Sequence, residues 1–345
     1  MMYIVTGGAG FIGSNIVAGL NDKGLTNVIV VDDLEDEAKV SNIIDLEFSD
    51  YLDKSQFLKD VIKDGLPQQT RMVFHQGACS DTTVTDGHFM MENNFSYSKH
   101  LYEACRSRDV PFVYASSASV YGESKVFEEL SEYENPLNVY ALSKLIFDRY
   151  VRAREASCTN QVVGLRYFNV YGAREQHKAH MVSVAYQLFH QYQATGQVRL
   201  FGASGGYGDG EQRRDFVSIE DVVSANLFCM DHPDFKGVYN LGTGVSRSFN
   251  DIALAVVNRC RTVSGSQSLS LEECQAQKII SYFDMPATLK GKYQDYTQAD
   301  VGRLREAGYD REFAVLEAGV SRYVDWLEQH GSSDSAQPEA AQSIS

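Results

Sequence analysis

The segment 3–13 reads YIVTGGAGFIG and decides the fold of the first half of the chain. Its first four residues form a short strand-like run, and its last three begin a stretch with helical spacing. The glycines between and within these runs, Gly7, Gly10 and Gly13, follow the spacing G-x-x-G-x-x-G. Glycine permits a tight turn and close approach of a diphosphate, and the N–H groups that start the helix favour phosphate. We predict a dinucleotide site, although an ordinary strand–helix turn explains the glycines alone about equally well.

Asp32 is a second feature that points to a dinucleotide. It ends the next apolar run, about 20 residues after the glycines, where an acid that binds the ribose is expected. A carboxylate here favours NAD, because it repels the 2′-phosphate of NADP. Lys39 and Lys54 follow and could neutralise that phosphate, but two loop lysines are explained at least as well by solvation. The residues alone leave the choice between NAD and NADP open.

Strand-like runs alternate with helical stretches through the first half of the chain. We predict helices over 11–21, 88–108 and 139–156, and strands over 3–6, 27–32, 71–75, 111–115 and 161–168. Apolar strands that alternate with helices are typical of a parallel sheet covered on both faces. The predicted fold class is therefore α/β, with a Rossmann-type doubly wound parallel sheet and a smaller C-terminal α/β substrate domain.

The second half of the chain is less regular. We expect a dinucleotide-binding domain in residues 1–172 with parts of 213–250, and a mainly substrate-binding domain in 173–330. The serine-rich segment 262–277 is interpreted as a surface insertion. Residues after 330 have little to bury, so 331–345 are predicted to be a disordered tail.

Composition excludes several classes of function. The 345 residues are 43% hydrophobic, which suffices for one sizeable core and a smaller lobe, and the net charge of −15 argues against binding nucleic acid or an anionic membrane. Six cysteines without a C-x-x-C pair indicate reduced thiols, and no run approaches the roughly 20 apolar residues of a membrane span. His177 and His180 lack acidic or cysteine neighbours at ligand spacing, so we expect no metal. We expect a cytoplasmic protein.

Tyr140 and Lys144 form a Tyr-x-x-x-Lys pair on a predicted helix, where their spacing places both side chains on one face. A free tyrosine has a pKa near ~10, and a neighbouring ammonium is expected to lower it, so that the phenolate accepts a hydroxyl proton. The segment SSASVYG at 116–122 follows a predicted strand and places Ser117 at its carboxyl end. A surface pair and turn-forming serines would explain each element alone, but the ordered combination favours a dehydrogenase-type site.

Together GGAGFIG, SSASVYG and YALSK resemble the extended short-chain dehydrogenase/reductases of the NAD-dependent epimerase/dehydratase family, which modify nucleotide sugars. Longer segments across nearly the whole chain, among them FMMENNFSYSKHL, LRYFNVYGAREQHK, RRDFVSIEDV and LKGKYQDYTQAD, are similar to the ADP-heptose 6-epimerases within that family. This resemblance implies an isomerase with tightly held NADP and an ADP-linked heptose substrate. It also implies a homo-oligomer, a pentamer, that serves synthesis of the lipopolysaccharide core.

The resemblance implies a set of site residues. Tyr140 and Lys178 would be the two acid/base groups, supported by Lys144 and Ser117. The cofactor would be bound by Gly7, Gly10, Phe11, Ile12, Gly13, Asp32, Asp33, Lys39, Lys54, Gln76, Gly77, Ala78, Cys79, Ser80, Asn93, Lys144, Val170 and Lys178. The substrate would be bound by Ser117, Asn169, His180, Gln187, Phe201, Gly202, Ala203, Ser204, Arg214 and Tyr293. His180 and Gln187 depart from the residues usual in the family, and the segments 205–212 and 262–277 are longer than expected.

Lys178 makes chemical sense as a second proton donor. A carbinol C–H is not acidic, so inversion requires oxidation to a ketone and return of hydride to the opposite face. The ketone must turn between these steps, and its oxygen then needs a donor other than Tyr140. Spacing alone favours a solvated loop lysine at position 178, and the resemblance reverses that preference.

Two other functions remain open. Another nucleotide-sugar epimerase or dehydratase, such as a UDP-hexose 4-epimerase-like enzyme, would share the cofactor half; a dehydratase is disfavoured because Ala118 and Ser119, rather than acids, follow Ser117. A non-catalytic dinucleotide sensor would commonly lose the Tyr/Lys pair. Arg213 and Arg214 are either a diphosphate clamp or a solvated pair. The simplest interpretations of the other candidates are packing for Tyr323 and Trp326, and a packed or cofactor-adjacent position for His75.

Overall fold

The computed structural model describes residues 1–286 and 294–330. The strands are β1 Met2–Thr6, β2 Val28–Asp32, β3 Asp50–Asp53, β4 Thr70–His75, β5 Phe112–Ser117, β6 Val162–Tyr167, β7 Asn169–Tyr171, β8 Val198–Phe201, β9 Arg213–Ser218, β10 Gly237–Leu241, β11 Ser246–Ser248 and β12 Ile280–Phe283. The α-helices are α1 Phe11–Asp22, α2 Lys54–Asp64, α3 Gly87–Met90, α4 Tyr97–Ser107, α5 Val139–Arg152, α6 Val184–Thr195, α7 Ile219–Asp231, α8 Phe249–Val263, α9 Leu271–Ala276, α10 Gly302–Glu306 and α11 Leu316–His330.

A seven-stranded parallel sheet in the order β10-β6-β5-β4-β1-β2-β3 forms the centre of the first compact unit. Its inner strands are rich in β-branched residues and buried along nearly their whole length, as a sheet covered on both faces requires. Strand order reverses between β1 and β4, which brings the carboxyl ends of these two strands together at a switch point. The predicted Rossmann-type α/β fold is confirmed.

The chain passes between two compact units. The first takes Met1–Phe168, Glu220–Leu241 and Asp300–Arg311, and the second takes the described residues of Asn169–Ile219 and Gly242–Ala299 and those from Glu312 onward. The chain therefore enters the second unit shortly before residue 172 and crosses back twice. The tail predicted over 331–345 lies outside the described residues.

The second unit has its own apolar core. Two small sheets, β11-β9-β7 and β12-β8, accompany helices α6, α8 and α11, whose buried faces share one cluster. Tyr323 is buried in this cluster and Trp326 packs against it, so the packing interpretation of both is confirmed. The segment 262–277 lies at the surface as predicted, since most of its residues are exposed, and the buried Cys274 of α9 anchors its second half.

Two predicted helices differ from the structure. The one predicted over 88–108 is divided by a π-helical segment, Met91–Ser96, which lies between α3 and α4. The one predicted over 139–156 ends at Arg152 and is followed by a short 3₁₀ turn. Within the described residues, no helix is long and apolar enough to cross a membrane.

Candidate functional site

The glycine turn after β1 has no room for side chains at Gly7 or Gly13. A Cβ on Gly7 would lie 2.6 Å from the backbone nitrogen of Gly77, and Gly7 adopts a φ of +66°. A Cβ on Gly13 would lie 2.0 Å from the Gly7 carbonyl oxygen. Gly10 is the N-cap of α1 and makes no side-chain cap there. The turn therefore brings bare backbone and a helix N-terminus together, which is the cradle that a diphosphate needs.

The end of β2 carries a cluster of two acids and two lysines. Asp32 accepts a hydrogen bond from the Ala9 N–H at 2.8 Å and contacts the Lys39 ammonium at 3.0 Å. Asp33 contacts Lys39 at 2.7 Å and also pairs with Lys54. Burial raises the pKa of Asp33, but the hydrogen bonds and charges of both lysines outweigh it and hold the pKa below its usual value. The two lysines are thus held by carboxylates at the predicted ribose end of the site, and solvation does not describe them.

The loop after β4, residues 76–80, is held by polar contacts. The Gln76 side chain accepts from the Tyr167 hydroxyl at 2.9 Å. The Cys79 N–H donates to the Asn94 side chain at 2.8 Å, and the Asn94 amide donates back to the Cys79 carbonyl at 2.9 Å. Asn94 lies in the π-helical segment, and its amide also donates to the Ser143 hydroxyl at 3.1 Å. It therefore ties the loop that contains Gly77, Ala78 and Ser80 to the helix of Tyr140.

Asn94 was not among the residues predicted from the sequence, whereas its neighbour was. Asn93 donates to the Phe89 carbonyl at 2.9 Å on the exposed side of the same segment. The adjacent asparagines in FMMENNFSYSKHL carry no signal that separates the loop-binding residue from the other. The π-helical segment sets which of them faces the loop, and its period cannot be derived from the helical pattern alone.

His75 ends β4 as a neutral, packed residue. Thr6 accepts from the Gly77 N–H at 3.3 Å and contacts His75 Nδ1 at 2.6 Å, while His75 Nε2 contacts the Ser98 hydroxyl at 2.7 Å. Ser98 donates onward to a backbone carbonyl, so Nε2 carries the proton and Nδ1 accepts. Burial, assisted by the charge of Lys144, lowers the pKa of His75 to about 3. The packed alternative predicted for His75 is confirmed.

Tyr140 lies in the first turn of α5, which Asn138 caps by accepting from the Ala141 N–H at 2.8 Å. Its phenol hydrogen-bonds the Ser117 hydroxyl at the end of β5. The Lys144 ammonium lies 5.9 Å from the centre of the Tyr140 ring. The structure therefore brings the predicted tyrosine, lysine and serine together.

The expected effect of Lys144 on Tyr140 is wrong for this structure. Burial raises the pKa of Tyr140, and the hydrogen bond from Ser117 offsets this only in part. The Lys144 ammonium instead donates to the Ala115 carbonyl at 2.9 Å, and burial lowers its own pKa to about 8. In this structure the pKa of Tyr140 is therefore set by burial and by Ser117, and Lys144 does not lower it.

Ser119 is a second residue that the sequence did not single out. Its N–H and its hydroxyl both donate to the Ser117 oxygen, at 3.2 and 2.9 Å. With its oxygen occupied by two donors, the Ser117 hydroxyl is left to donate its own proton. Ser119 therefore orients Ser117 toward its acceptor.

Lys178 lies in the second unit, in the short 3₁₀ turn Gln176–Met181. Its ammonium is 3.6 Å from the Glu175 carboxylate, and 21% of its side chain is exposed. His180 is exposed, and the Gln187 side chain donates to the Val182 carbonyl at 3.3 Å. Within the described residues no group of histidines, cysteines and acids could hold a metal.

The remaining predicted site residues of the second unit, which are substrate residues except for the cofactor residue Val170, fall into two groups. Phe201 ends β8 and packs on Phe283 with ring centres 5.1 Å apart, and Gly202 and Ala203 follow it. Ser204 next donates to Asp295 at 2.9 Å. Asn169 and Val170 instead lie on β7. Tyr293 lies outside the described residues.

The two arginines of the pair have different surroundings. Neighbouring residues on β9 point to opposite faces, and Arg213 donates to the Ser246 carbonyl at 2.7 Å. Arg214 is buried, 7% exposed, and donates to the Arg213 carbonyl at 3.0 Å. The solvated alternative is wrong for Arg214, which is buried, and the diphosphate clamp stays a prediction.

Comparisons with known proteins show what this chain is similar to. Residues 3–242 match the family described as NAD dependent epimerase/dehydratase. The chain is 53% identical over 326 residues, 94% of its length and 98% of the relative's, to the ADP-L-glycero-D-manno-heptose-6-epimerase of Thiobacillus denitrificans.

Two solved structures resemble the whole chain. The Helicobacter pylori ADP-L-glycero-D-manno-heptose-6-epimerase superposes with a TM-score of 0.77 at 31% identity, covering 95% of this chain and 96% of that one. The Thermus thermophilus UDP-glucose 4-epimerase, solved as a complex with NAD, gives a TM-score of 0.72 at 25% identity and covers 96% of this chain and 100% of that one.

Proposed function

This chain belongs to the NAD dependent epimerase/dehydratase family, and on that premise we propose that it converts ADP-D-glycero-D-manno-heptose into ADP-L-glycero-D-manno-heptose by inverting C-6. The observation that carries the choice of substrate is the 53% identity over 94% of the chain to a heptose 6-epimerase. The nucleotide-sugar 4-epimerase compared above is far less similar in sequence.

The cofactor is a nicotinamide dinucleotide, and the residues at the switch point fit one. The bare backbone of the glycine turn and the N-terminus of α1 would receive the diphosphate, and Asp32 with its lysine neighbours would meet the adenosine ribose. The loop after β4, held by Asn94, would border the nicotinamide half. A bound oxidised dinucleotide would supply the hydride acceptor and a positively charged ring.

Tyr140 serves as the base for the first half of the reaction. Its phenol, hydrogen-bonded to Ser117, accepts the proton of the C-6 hydroxyl as that carbon is oxidised to a ketone. Ser117 holds the reacting oxygen. Because burial keeps the pKa of Tyr140 high, this role requires a cation beside it, and Lys144 alone does not provide enough.

Lys178 serves as the proton donor for the second half. After the ketone has turned, its oxygen faces away from Tyr140, and an ammonium there protonates it as the opposite face is reduced. Lys178 carries its charge beside a carboxylate and remains partly exposed, so it can meet a substrate oxygen.

The activity is tested by incubating the enzyme with the ADP-linked D-glycero heptose and, separately, with UDP-galactose. We expect epimerisation of the heptose alone, and loss of about 10²- to 10⁴-fold in kcat in both Tyr140→Phe and Lys178→Met, the usual contribution of a positioned acid or base. Lys63→Met, which alters an exposed lysine, should retain full turnover. Near-normal turnover by Lys178→Met would reject its role, and conversion of UDP-galactose alone would reassign the substrate.

We further propose NADP as the natural cofactor, supported by the two lysines at the end of β2. A 2′-phosphate would compete with Asp33 for Lys39 and Lys54. Lys54→Met should weaken NADP about tenfold, the worth of one charge-assisted contact, and leave NAD unchanged; Lys63→Met is the control. Titration of the cofactor-free protein measures both affinities, and equal weakening of both would contradict the assignment.

The resemblance also supports a homo-oligomer, a pentamer, and we place the protein in the cytoplasm. Light scattering of the purified chain measures the first of these directly. A monomer at working concentration would remove the pentamer from the proposal.

A further inference from the structure

We propose that Glu175 is a positioning residue that fixes the ammonium of Lys178, an inference that rests on the proposed acid/base role of that lysine. Glu175 precedes the 3₁₀ turn Gln176–Met181 as its N-cap, and the Lys178 N–H donates to the Glu175 carbonyl at 3.0 Å. Side chains three residues apart nearly eclipse in such a turn. Local geometry therefore places the carboxylate and the ammonium on the same side.

The Glu175 side chain is fully buried, 0% exposed, and its oxygens are bound from several directions. The Ser183 N–H donates to it at 2.6 Å, the Ser183 hydroxyl at 2.5 Å and the Tyr323 hydroxyl at 2.8 Å. Ser183 is the N-cap of α6, and Tyr323 lies on α11. The carboxylate is thus fixed to two helices that pack in the core of this unit, and it cannot follow Lys178 if the lysine moves.

The charges of Glu175 and Lys178 also favour their contact. A buried carboxylate is costly without a cation and donors, and Lys178 supplies a cation at 3.6 Å. Burial, followed by the Glu175 charge, raises the pKa of Tyr323 far above its ordinary value, so its phenol keeps the proton that it donates. The Glu175 oxygens are therefore bound by donors from α11 and the N-terminus of α6, and 21% of the Lys178 side chain is exposed.

The backbone conformation on both sides of this stretch also indicates that surrounding contacts hold it in place. Arg174 has a φ of 71° and Ala179 a φ of 49°, a region that residues other than glycine rarely adopt. These two positions immediately bracket the stretch from Glu175 to Lys178. Such conformations persist where surrounding contacts determine them, and the contacts of Glu175 are of that kind.

The test compares Glu175→Gln with Tyr323→Phe in the full-length enzyme purified with its cofactor. Glu175→Gln keeps the size of the side chain and removes its charge, whereas Tyr323→Phe removes one donor and leaves the charge. We expect Glu175→Gln to lower kcat by about 10- to 100-fold, the cost of a misplaced reacting group, with little change in KM. Tyr323→Phe leaves the carboxylate and its two bonds from Ser183 in place, so it should change kcat by no more than about fivefold.

A second readout follows Lys178 itself. Acetic anhydride acylates a lysine amine that can leave its ion pair and approach the reagent, and the Glu175 carboxylate lies 3.6 Å from the Lys178 amine. Peptide mass spectrometry should show Lys178 acylated several-fold faster in Glu175→Gln than in the wild type or Tyr323→Phe, relative to the exposed Lys63. If Glu175→Gln does not fold, Glu175→Asp retains the charge and withdraws it by one methylene, and it should lower kcat about tenfold.

The outcomes separate this inference from the proposed function. Unchanged acylation of Lys178 in Glu175→Gln, or a fall in kcat no larger than that of Tyr323→Phe, overturns the positioning role; so does a fully active Glu175→Asp where that variant replaces Glu175→Gln. Full activity of Lys178→Met instead overturns the acid/base assignment, while the acylation rates still decide whether Glu175 controls the amine.

Discussion

The segments that carry Tyr140 and Lys178 hold their side chains by different means. Tyr140 stands in a 14-residue helix with a capping asparagine, and its partner Ser117 ends a strand of the seven-stranded sheet. Lys178 stands in a six-residue 3₁₀ turn with non-helical backbone inside it. The first arrangement follows from local pattern, and the second depends on contacts with residues far along the chain. The position of a functional group in a regular helix or strand can thus be predicted from the sequence around it, whereas that of a group in an irregular turn cannot.

The largest effect expected within the Tyr140 region concerns the two serines after β5. Ser117→Ala removes the hydroxyl that we propose holds the reacting oxygen, and it should lower kcat about a hundredfold, as loss of a donor at a reacting oxygen does. Ser119→Ala removes one hydroxyl donor to Ser117 and should cost about fivefold. Steady-state epimerisation of the ADP-linked heptose measures both.

Ser124→Ala is the matched control for these variants, because the hydrogen bonds of the Ser124 hydroxyl go to the backbone of Val126 in the same turn. It should leave kcat unchanged. If Ser119→Ala proved as damaging as Ser117→Ala, the order of roles in this region would be reversed, and the strand-end serine would not be the principal contact.

The dependence of stability on acid pH gives a smaller effect, which concerns the buried His75. His75 has a pKa of about 3 in the folded protein and about 6.5 when unfolded, so below about pH 6.5 the unfolded chain binds the additional proton. Stability is therefore lost as the pH falls. Between about pH 7 and pH 5, this single group should remove about 2 kcal/mol from the free energy of unfolding.

Urea unfolding of wild type and His75→Gln at both pH values measures this contribution. The variant should lose about 2 kcal/mol less than the wild type over the interval, whatever its absolute stability. His100→Gln alters an exposed histidine and should keep the wild-type pH dependence. Parallel pH profiles for wild type and His75→Gln would mean that His75 is protonated in the folded protein.

The sequence was sufficient to predict those parts of the structure that follow from the local spacing of residues. The apolar run before the glycines predicted β1, and the spacing of Gly7 and Gly13 predicted a turn that the structure shows to be closed to side chains. Tyr140 and Lys144 were placed on one helix face by their spacing, and they lie side by side. The parallel sheet followed from the same alternation of strands and helices.

Prediction from the sequence failed for features that depend on burial or on contacts between residues far apart in the chain. The sign of the Tyr140 pKa shift depends on how strongly the site is desolvated, which no spacing reports. The π-helical segment, and with it the role of Asn94, depends on packing rather than on helical period. Glu175 looks like any loop acid in the sequence, since Ser183 and Tyr323 reach it only in the folded unit.

The smallest effect concerns the strained backbone beside Lys178. Ala179 has a φ of 49° and a ψ of −122°, which glycine adopts without penalty. Relief of strain of about 1–3 kcal/mol, less the entropy that glycine adds to the unfolded chain, predicts that Ala179→Gly raises the free energy of unfolding by about 1 kcal/mol. Ala318→Gly, at an exposed position in α11, should instead lower it by about 1 kcal/mol or less.

The activity of Ala179→Gly should fall although its stability rises. Glycine widens the conformations open to the residue that follows Lys178, so the ammonium is held less tightly and kcat should fall while KM changes little. Urea unfolding and heptose epimerisation on the same preparation provide the two numbers. A loss of stability like that of Ala318→Gly would show that the turn is unstrained, and the contrast between a regular tyrosine site and a strained lysine site would no longer hold.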